Sequence, residues 1–395
     1  MSHASCAPQS PVVRRGAHSL IRLTAVAALA LSLTACWSGS TGTTGQQGAS
    51  GPAFAYVAKQ GDGTVSAYSI DASTGALTQL TGSPFAAGTY PVSVTVNPAG
   101  TFAYVANNAS NTVSAYSINA STGALKPVAG SPFAAGTDPA SVAVNPEGTF
   151  AYVANLNGNT VSAYIIDPTT GALTPVTGSP FAAGTNPISV TVNSAGTFAY
   201  VANEGSSNNT PGTVSAYNID ASTGALTPVT GSPFATGTDP VSVTVNPEGT
   251  FAYVASGDGV SAYSIDASTG ALTPVTGSPF AAGTYPVFVT VNPAGTFAYA
   301  ANQYGNTVSA YSIDATTGAL TPVAGSPFAT GDSPVSVTVN PAGTFAYVAN
   351  FGSGNNAPGT VSAYSINAST GALKPVAGSP FAAGNHPASV AVAQP

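Results

Sequence analysis

Charged side chains are scarce in this sequence, and one kind of cation is missing from most of it. Only 5% of the 395 residues are charged, and no Arg occurs after Arg22. The remaining cations are Lys59, Lys126 and Lys374, which stand against 13 acidic residues, so the chain from residue 36 onward carries a formal charge of −10. Because binding to a phosphate backbone depends on Lys and Arg, this composition excludes a nucleic-acid partner.

Cysteine is equally scarce. The two cysteines are Cys6 and Cys36, and Cys6 lies in a segment that we expect to be removed on export. The mature chain would then hold a single cysteine, which excludes an internal disulfide. The recurrent Asp or Asn of segments such as Asp71–Gly75 could suggest a metal site. A tight turn explains it better, because the Asx side chain bonds the backbone and Gly supplies a positive φ. We predict neither a metal nor a cofactor.

Residues 1–35 have the features of an export signal. Arg14, Arg15 and Arg22 precede an apolar stretch, residues 23–33, that is too short for an ordinary membrane span. A twin-arginine export route is open beside the general secretory route.

The segment that follows the apolar stretch resembles a bacterial lipobox. It reads Leu-Thr-Ala-Cys and ends at Cys36. The resemblance implies that Cys36 is lipidated and anchors the chain to a membrane; an ordinary secretory signal with an incidental Cys is the alternative. Residues 36–53 are rich in Gly, Ser and Thr and are predicted to form a flexible tether. Trp37 stands where lipoproteins retained in the inner membrane typically carry Asp, which favours the outer membrane or the cell surface.

The rest of the chain is an internal repeat. The phrase Phe-Ala-Tyr recurs seven times, starting at Phe54, Phe102, Phe150, Phe198, Phe251, Phe297 and Phe345. Each repeat holds four short segments rich in Val, Ile, Tyr, Phe and Thr, bounded by Gly, Pro, Asn or Ser, which is a pattern of strands and turns. Four strands per 40–50 residues are typical of a propeller blade. We therefore predict an all-β, seven-bladed β-propeller of antiparallel blades over residues 54–395.

The two ends of the repeat array indicate a closed ring rather than an open solenoid. The array begins at Phe54 without a preceding Ser-Val-x-Val segment, and it ends just after such a segment at Val392. The seven units are complete only if this C-terminal strand joins the three N-terminal strands, and closure removes the exposed sheet edges. In addition, the first and last repeats lack the atypical sequence expected of solenoid caps.

Proline predicts the strand order. The Leu-x-Pro-Val segment carries Pro in six repeats, and Gln79 replaces it only in the first. Proline cannot donate to a ladder, so this strand is predicted at the outer edge. The following Ser-Val-x-Val strand would line the central channel. In the second strand, Phe102 and Tyr104 face one way and Ala103 and Val105 the other, which predicts large-on-small packing between neighbouring blades.

The repeated phrases resemble those of a known family. Phe-Ala-Tyr-Val-Ala-Asn, Thr-Val-Ser-Ala-Tyr-x-Ile and Gly-Ala-Leu-Thr-Pro-Val are similar to segments of the lactonase-type propellers, which include 6-phosphogluconolactonase-like proteins and the YVTN surface propellers. The resemblance implies a lactone hydrolase in which basic and acidic side chains on one face hold an anionic lactone. In this chain Lys126 and Lys374 fall beside the outer-edge Pro, and no position matches a catalytic Arg.

Departures from the repeat indicate where a site could lie. The loop between the second and third strands varies in length, and it shares a face with a variable residue that precedes the Pro of each inner strand. These pre-proline residues are Tyr90, Asp138, Asn186, Asp239, Tyr285, Ser333 and His386. We predict that they ring the channel mouth and contact a glycan, a peptide or a small neutral or cationic ligand. His386 is the candidate general base if the protein is an enzyme.

Three functions follow from these observations. The first is a monomeric, lipid-anchored propeller that binds or displays at the cell envelope. The alternative is a lactone hydrolase resembling 6-phosphogluconolactonase, and the third is a purely structural surface protein. The absence of Arg from the repeats favours the first over the second.

Overall fold

The computed structural model describes residues 51–206, 211–353 and 358–395. The export signal, Cys36 and the tether up to residue 50 lie outside the described residues, so the predictions made for them stay predictions. Within the described ranges the regular structure consists of strands joined by turns, without a helix. That part of the chain accordingly offers no helix with the length and apolarity needed to cross a bilayer.

Seven antiparallel sheets form the blades, and four strand positions recur in each. The inner strands are Pro91–Val96, Pro139–Val144, Pro187–Val192, Ser242–Val245, Pro286–Val291, Pro334–Val339 and Pro387–Ala393. The second strands are Ala53–Lys59, Phe102–Asn107, Phe150–Asn155, Phe198–Asn203, Phe251–Ser256, Phe297–Asn302 and Phe345–Asn350. The third strands are Thr64–Ile70, Thr112–Ile118, Thr160–Ile166, Pro211–Ile219, Gly259–Ile265, Thr307–Ile313 and Pro358–Ile366. The outer strands are Leu77–Gln79, Leu125–Pro127, Leu173–Pro175, Leu226–Pro228, Leu272–Pro274, Leu320–Pro322 and Leu373–Pro375. Blades are numbered 1 to 7 in the order of their second strands. The predicted strand order is confirmed.

The outer edge of a blade is divided between two short strands, which the sequence did not predict. In blade 1, Ile70 pairs with Leu77 at one end of the third strand, whereas Val65 pairs with Phe85 at the other. A turn at Gly82, where φ is 86°, separates the two short strands. Strands of this fifth type are Phe85–Ala86, Phe133–Ala134, Phe181–Ala182, Phe234–Thr238, Phe328–Ala329 and Phe381–Asn385. In blade 5 a single bridge, Val260 to Phe280, takes their place.

The ring closes as the phase of the repeats predicts. The C-terminal inner strand pairs with the N-terminal second strand, with Phe54 opposite Ala393 and Val57 opposite Val390. Blade 1 therefore combines both ends of the described chain, and no blade is left with an open inner edge.

Neighbouring blades pack large side chains on small ones. Phe54 and Tyr56 of blade 1 lie in one apolar cluster with Ala103 and Val105 of blade 2. The Tyr56 hydroxyl crosses the interface and donates to the Gly123 carbonyl at 2.9 Å. Equivalent Tyr-to-Gly bonds of 2.9–3.1 Å join every pair of neighbouring blades. The predicted packing is confirmed, and burial of each such aromatic contributes roughly 1.5–3 kcal/mol.

The repeated Asp or Asn forms a turn, as predicted. Oδ1 of Asp71 accepts from the backbone N–H groups of Ser73 at 3.0 Å and Thr74 at 2.8 Å. Gly75 follows with φ of 76°. These turns lie between the third and outer strands, where each Gly meets the aromatic side chains of the blade before it.

Candidate functional site

The inner strands surround a central channel that contains three cavities in succession. The mouth cavity has a volume of about 410 Å³, the middle cavity about 160 Å³ and the lower cavity about 310 Å³. The mouth and middle cavities share the wall residues Val92, Ala140, Ile188, Val335 and Ala388. We call the end of the propeller that holds the mouth cavity the mouth face. The pre-proline residues and the ends of the second strands both lie at this face.

A ring of residues at the ends of the second strands forms the rim of the mouth. We call these seven residues, each of which directly follows a second strand, the collar. The collar consists of Gln60, Asn108, Leu156, Glu204, Gly257, Gln303 and Phe351. Five of its members line the mouth cavity above the apolar walls, namely Gln60, Asn108, Leu156, Gln303 and Phe351. Side-chain amides over an apolar cup provide a few polar groups that can orient a small ligand.

The backbone of the pre-proline residues forms hydrogen bonds with the collar. All seven have a positive φ of 47–60°, a left-handed conformation that side chains other than Asn and Asp rarely adopt. In six blades the pre-proline carbonyl accepts the N–H of the collar residue at 2.8–3.0 Å, as Tyr90 does from Asn108. In blade 5 the collar residue Gly257 instead donates to Thr238. The polar and aromatic residues that line the mouth cavity thus come from the collar rather than from the pre-proline set, and sequence reasoning did not identify them.

Two pre-proline side chains bond to the loop that follows the second strand of the same blade. Asp138 accepts from the side chain of Asn157, and the amide of Asn186 donates to the Gly205 carbonyl at 2.8 Å. The backbone N–H of Ser333, by contrast, donates to Oδ1 of Asn306 in the preceding blade at 2.8 Å. Tyr90 is 48% exposed and lines a separate cavity of about 440 Å³ at the edge of blade 1.

The two remaining aromatic pre-proline residues stack on neighbours. The rings of Tyr285 and Tyr304 lie 4.6 Å apart. The ring of His386 stacks on Phe351 at 4.4 Å, nearly parallel. Because Phe351 belongs to the collar, this stack brings His386 to the edge of the mouth.

Two carboxylates from adjacent blades concentrate negative charge on one side of the mouth. Glu204 is the collar residue of blade 4, and its backbone N–H donates to the Asn186 carbonyl at 2.9 Å. Asp239, from blade 5, is only 2% exposed. Burial first, and then the charge of Asp239, raise the pKa of the Glu204 carboxyl. Burial and the same two carboxylates raise the pKa of the Tyr285 hydroxyl. The three side chains therefore interact across blades 4 to 6.

The cations of the propeller are either paired or exposed on outer strands. Lys59 is 5% exposed and pairs with Asp62 at 2.9 Å. Lys126 and Lys374 lie exposed on outer strands, as the sequence predicted. Within the described ranges, no three acidic, His or Cys side chains are arranged to hold a metal ion. Lys59 directly precedes the collar residue Gln60 but is already paired with Asp62, so an anionic ligand at the mouth would meet carboxylates without a Lys available to balance its charge.

Comparison with known proteins places the chain among propellers of one family. The family model described as "Lactonase, 7-bladed beta-propeller" matches residues 47–136, 177–256 and 250–389. No curated protein matches the chain.

Three solved structures are similar in fold. A candidate 6-phosphogluconolactonase of Bacteroides fragilis is 20% identical with a TM-score of 0.70, covering 88% of this chain and 99% of its own. One of Bacteroides uniformis is also 20% identical, with a TM-score of 0.71, covering 87% and 99%. The periplasmic gluconolactonase of Pseudomonas aeruginosa is 16% identical, with a TM-score of 0.68, covering 87% and 100%. At these identities the likeness shows the fold alone.

Proposed function

The chain belongs to the lactonase family of seven-bladed β-propellers, and from this premise we propose that its mouth face binds an uncharged lactone and hydrolyses it. The observation that carries the proposal is the position of Glu204. It is a half-buried carboxylate in the collar, beside the buried Asp239. A carboxylate whose pKa is raised is a better proton acceptor near neutral pH than an ordinary one.

The proposed reaction needs only water and the lactone. Glu204 accepts a proton from a water molecule, whose oxygen attacks the carbonyl carbon of the ring ester. The resulting oxyanion takes a hydrogen bond from a collar amide such as that of Gln303. When the ring C–O bond breaks, the leaving oxygen takes the proton from Glu204, and the product is an open hydroxy acid.

The electrostatics of the mouth favour a neutral substrate. A phosphate group binds to Arg or Lys, and the chain has no Arg after Arg22. The ion pair of Lys59 with Asp62 leaves that cation on blade 1 already engaged by a carboxylate. The carboxylate pair would repel a phosphorylated lactone but would also repel the anionic product, which promotes its release.

The test compares two Glu-to-Gln variants in a hydrolysis assay on a neutral lactone. Glu204→Gln is expected to lower kcat by about 10²–10⁴-fold, the usual contribution of a general base. Glu248→Gln is the matched control, because the Glu248 side chain accepts from Asn246 at 2.9 Å in a turn at the opposite face. Equal rates in wild type and Glu204→Gln, or equal losses in both variants, would contradict the proposal.

Binding without hydrolysis is the second candidate function. It is favoured by the composition of the collar, where Gln60, Asn108, Leu156 and Gln303 offer neutral contacts that suit a glycan or peptide. A neutral ligand that binds at the mouth but is not hydrolysed would favour this function. An inert mouth would favour a purely structural role.

We also propose that the propeller is exported and anchored to the outer membrane or cell surface through a lipid on Cys36. The described chain enters blade 1 at Ala53, the end of the second strand opposite to Lys59 and the mouth. The described chain therefore enters the propeller at the face away from the collar. Metabolic labelling with a fatty acid, lost in Cys36→Ser, tests the anchor.

A further inference from the structure

A layer of serines crosses the channel below the mouth. Three residues after each pre-proline residue, six of the seven inner strands carry a serine at the same level of the channel wall. We call these six residues the serine layer: Ser93, Ser141, Ser189, Ser242, Ser336 and Ser389. Each hydroxyl oxygen accepts a backbone N–H from the next blade at 3.2–3.4 Å, as Ser93 does from Val142. The layer therefore joins neighbouring blades around the channel.

Phe288 replaces serine at the seventh position. It has no hydroxyl to accept the N–H of Val337, and its ring instead packs against the apolar cluster that contains Val337. Phe288 also borders both the middle and the lower cavities. The serines on either side of it, Ser242 and Ser336, are each only 2% exposed. Phe288 thus covers one side of the layer.

The opposite side of the layer keeps its hydroxyls accessible. Ser389, Ser93, Ser141 and Ser189 come from four consecutive blades and are all partly exposed to the channel. A serine oxygen that accepts a backbone N–H keeps its own proton for donation. The channel is therefore two-sided at this level, with four hydroxyl donors facing one aromatic ring.

We infer that this layer binds a neutral, sugar-like ring, with the apolar face of the ring against Phe288 and its oxygens on the four accessible serines. The inference rests on the proposed function in one respect, because such a ring is also the lactone that would be hydrolysed at the mouth above. The middle cavity, of about 160 Å³, lies next to the mouth cavity, and the two cavities share wall residues.

The chemistry of the channel disfavours other ligands. The layer contains no charged side chain, so an ion would lack a partner of opposite charge. A purely apolar ligand would leave the serine donors without acceptors, which costs about 1–3 kcal/mol for each unsatisfied group. Threonines lie two residues further along the inner strands, where Thr95, Thr191 and Thr290 line the lower cavity. These offer hydroxyls to the far edge of a ring ligand.

The experiment measures binding and hydrolysis separately on the purified full chain. The probe for binding is the lactam of gluconic acid, a neutral ring that resists hydrolysis, in titration calorimetry; the probe for hydrolysis is the matching lactone. Phe288→Leu removes the aromatic face, and a stacking contribution of about 0.5–1.5 kcal/mol predicts roughly two- to tenfold weaker lactam binding. Phe288→Ser is expected to bind as weakly, and its hydroxyl can accept the Val337 N–H, which offsets part of the packing lost with the ring.

A pair of serine variants provides the matched control. Ser141→Ala and Ser336→Ala both remove one interblade bond, but only Ser141 is accessible to a ligand. We expect about two- to tenfold weaker lactam binding in Ser141→Ala alone, from the loss of one hydrogen bond. Unchanged binding in Ser141→Ala and both Phe288 variants, equal loss in the two serine variants, or no binding by the wild type would overturn the inference. Lactone hydrolysis with an unchanged KM in these variants would overturn it while leaving the proposed function intact. Lactam binding that depends on Phe288, without lactone hydrolysis, would support the inference and refute the proposed function.

Discussion

Two glycines of the first repeat provide a test of how the blades interlock. Gly75 and Gly82 both have a left-handed backbone, with φ of 76° and 86°. Gly75 is buried under the Phe345 ring of blade 7, and its carbonyl accepts the Tyr347 hydroxyl at 3.0 Å. Gly82 is exposed, and a methyl group added there meets nothing within 4 Å. The two sites therefore share a backbone constraint and differ only in their contacts.

The loss of unfolding free energy on substitution by Ala should be larger at Gly75 than at Gly82, because only Gly75 contacts an aromatic ring. At either site a left-handed Ala costs about 1–2 kcal/mol. At Gly75 the added carbon would also lie 2.6 Å from Cε1 and 2.9 Å from Cγ of Phe345. Overpacking of this kind costs about 1–3 kcal/mol. Gly75→Ala should therefore lose about 2–5 kcal/mol of unfolding free energy, compared with about 1–2 kcal/mol for Gly82→Ala.

Urea unfolding followed by tyrosine fluorescence measures the difference. The contact at Gly75 joins blade 7 to blade 1, so the variant weakens the interface at which the ring closes. A larger loss in Gly75→Ala than in Gly82→Ala is the expected result. Equal losses would refute the argument that the aromatic ring over this glycine locks the two blades together.

Two predictions concern pH. The pKa of Glu204 is raised in the folded protein, so the ionised side chain lowers the stability above that pKa, and this cost disappears below the ordinary Glu pKa. Glu204→Gln should therefore raise the melting temperature at pH 7 and leave it unchanged at pH 3. An unchanged melting temperature at pH 7 would contradict the burial argument. Hydrogen bonds from Ser73 and Thr74, the Ser73 hydroxyl first, lower the pKa of Asp71 to about 2. Ionised Asp71 therefore stabilises the fold at any pH above its ordinary pKa of 3.8, and this stabilisation is lost as the pH falls toward 2. Asp71→Asn should therefore flatten the melting curve against pH between 4 and 2, since Asn119 forms the same turn without a charge, and an unchanged slope would contradict it.

Most of the fold could be predicted because the same pattern of strands and turns recurs in seven repeats. The phase of the array predicted that the strand ending near Ala393 completes the blade that begins near Phe54. The Pro of the Leu-x-Pro-Val segment predicted the outer edge, since a residue without an N–H cannot sit inside a ladder. The division of that edge into two strands was missed, because the second piece is only two residues long in most blades, such as Phe85–Ala86, and carries no alternation that a sequence pattern could detect.

The sequence predicted on which face the variable residues lie, but not which of them line the channel, and that this face binds a ligand stays a prediction. Variable residues beside a Pro, such as Tyr90 and Asn186, lie at the mouth face, but the collar residues that line the mouth cavity lie one loop away. Their variation, from Gln60 to Phe351, is visible in the sequence. Which of the two variable positions faces the channel depends on how the inner and second strands pair, and this is set by contacts between distant segments. Phe288 is likewise a plain departure from the serine of the other repeats, yet its meaning depends on the channel that all seven blades build together.

The measurement that tests the central claim most directly is the specificity of the wild-type protein for charge. We predict a higher kcat/KM for gluconolactone than for its 6-phosphorylated form, because the mouth holds the Glu204 and Asp239 carboxylates and no Arg occurs after Arg22. The preference should fall at high salt, which screens the repulsion between the carboxylates and the phosphate. A higher kcat/KM for the phosphorylated lactone would contradict the account.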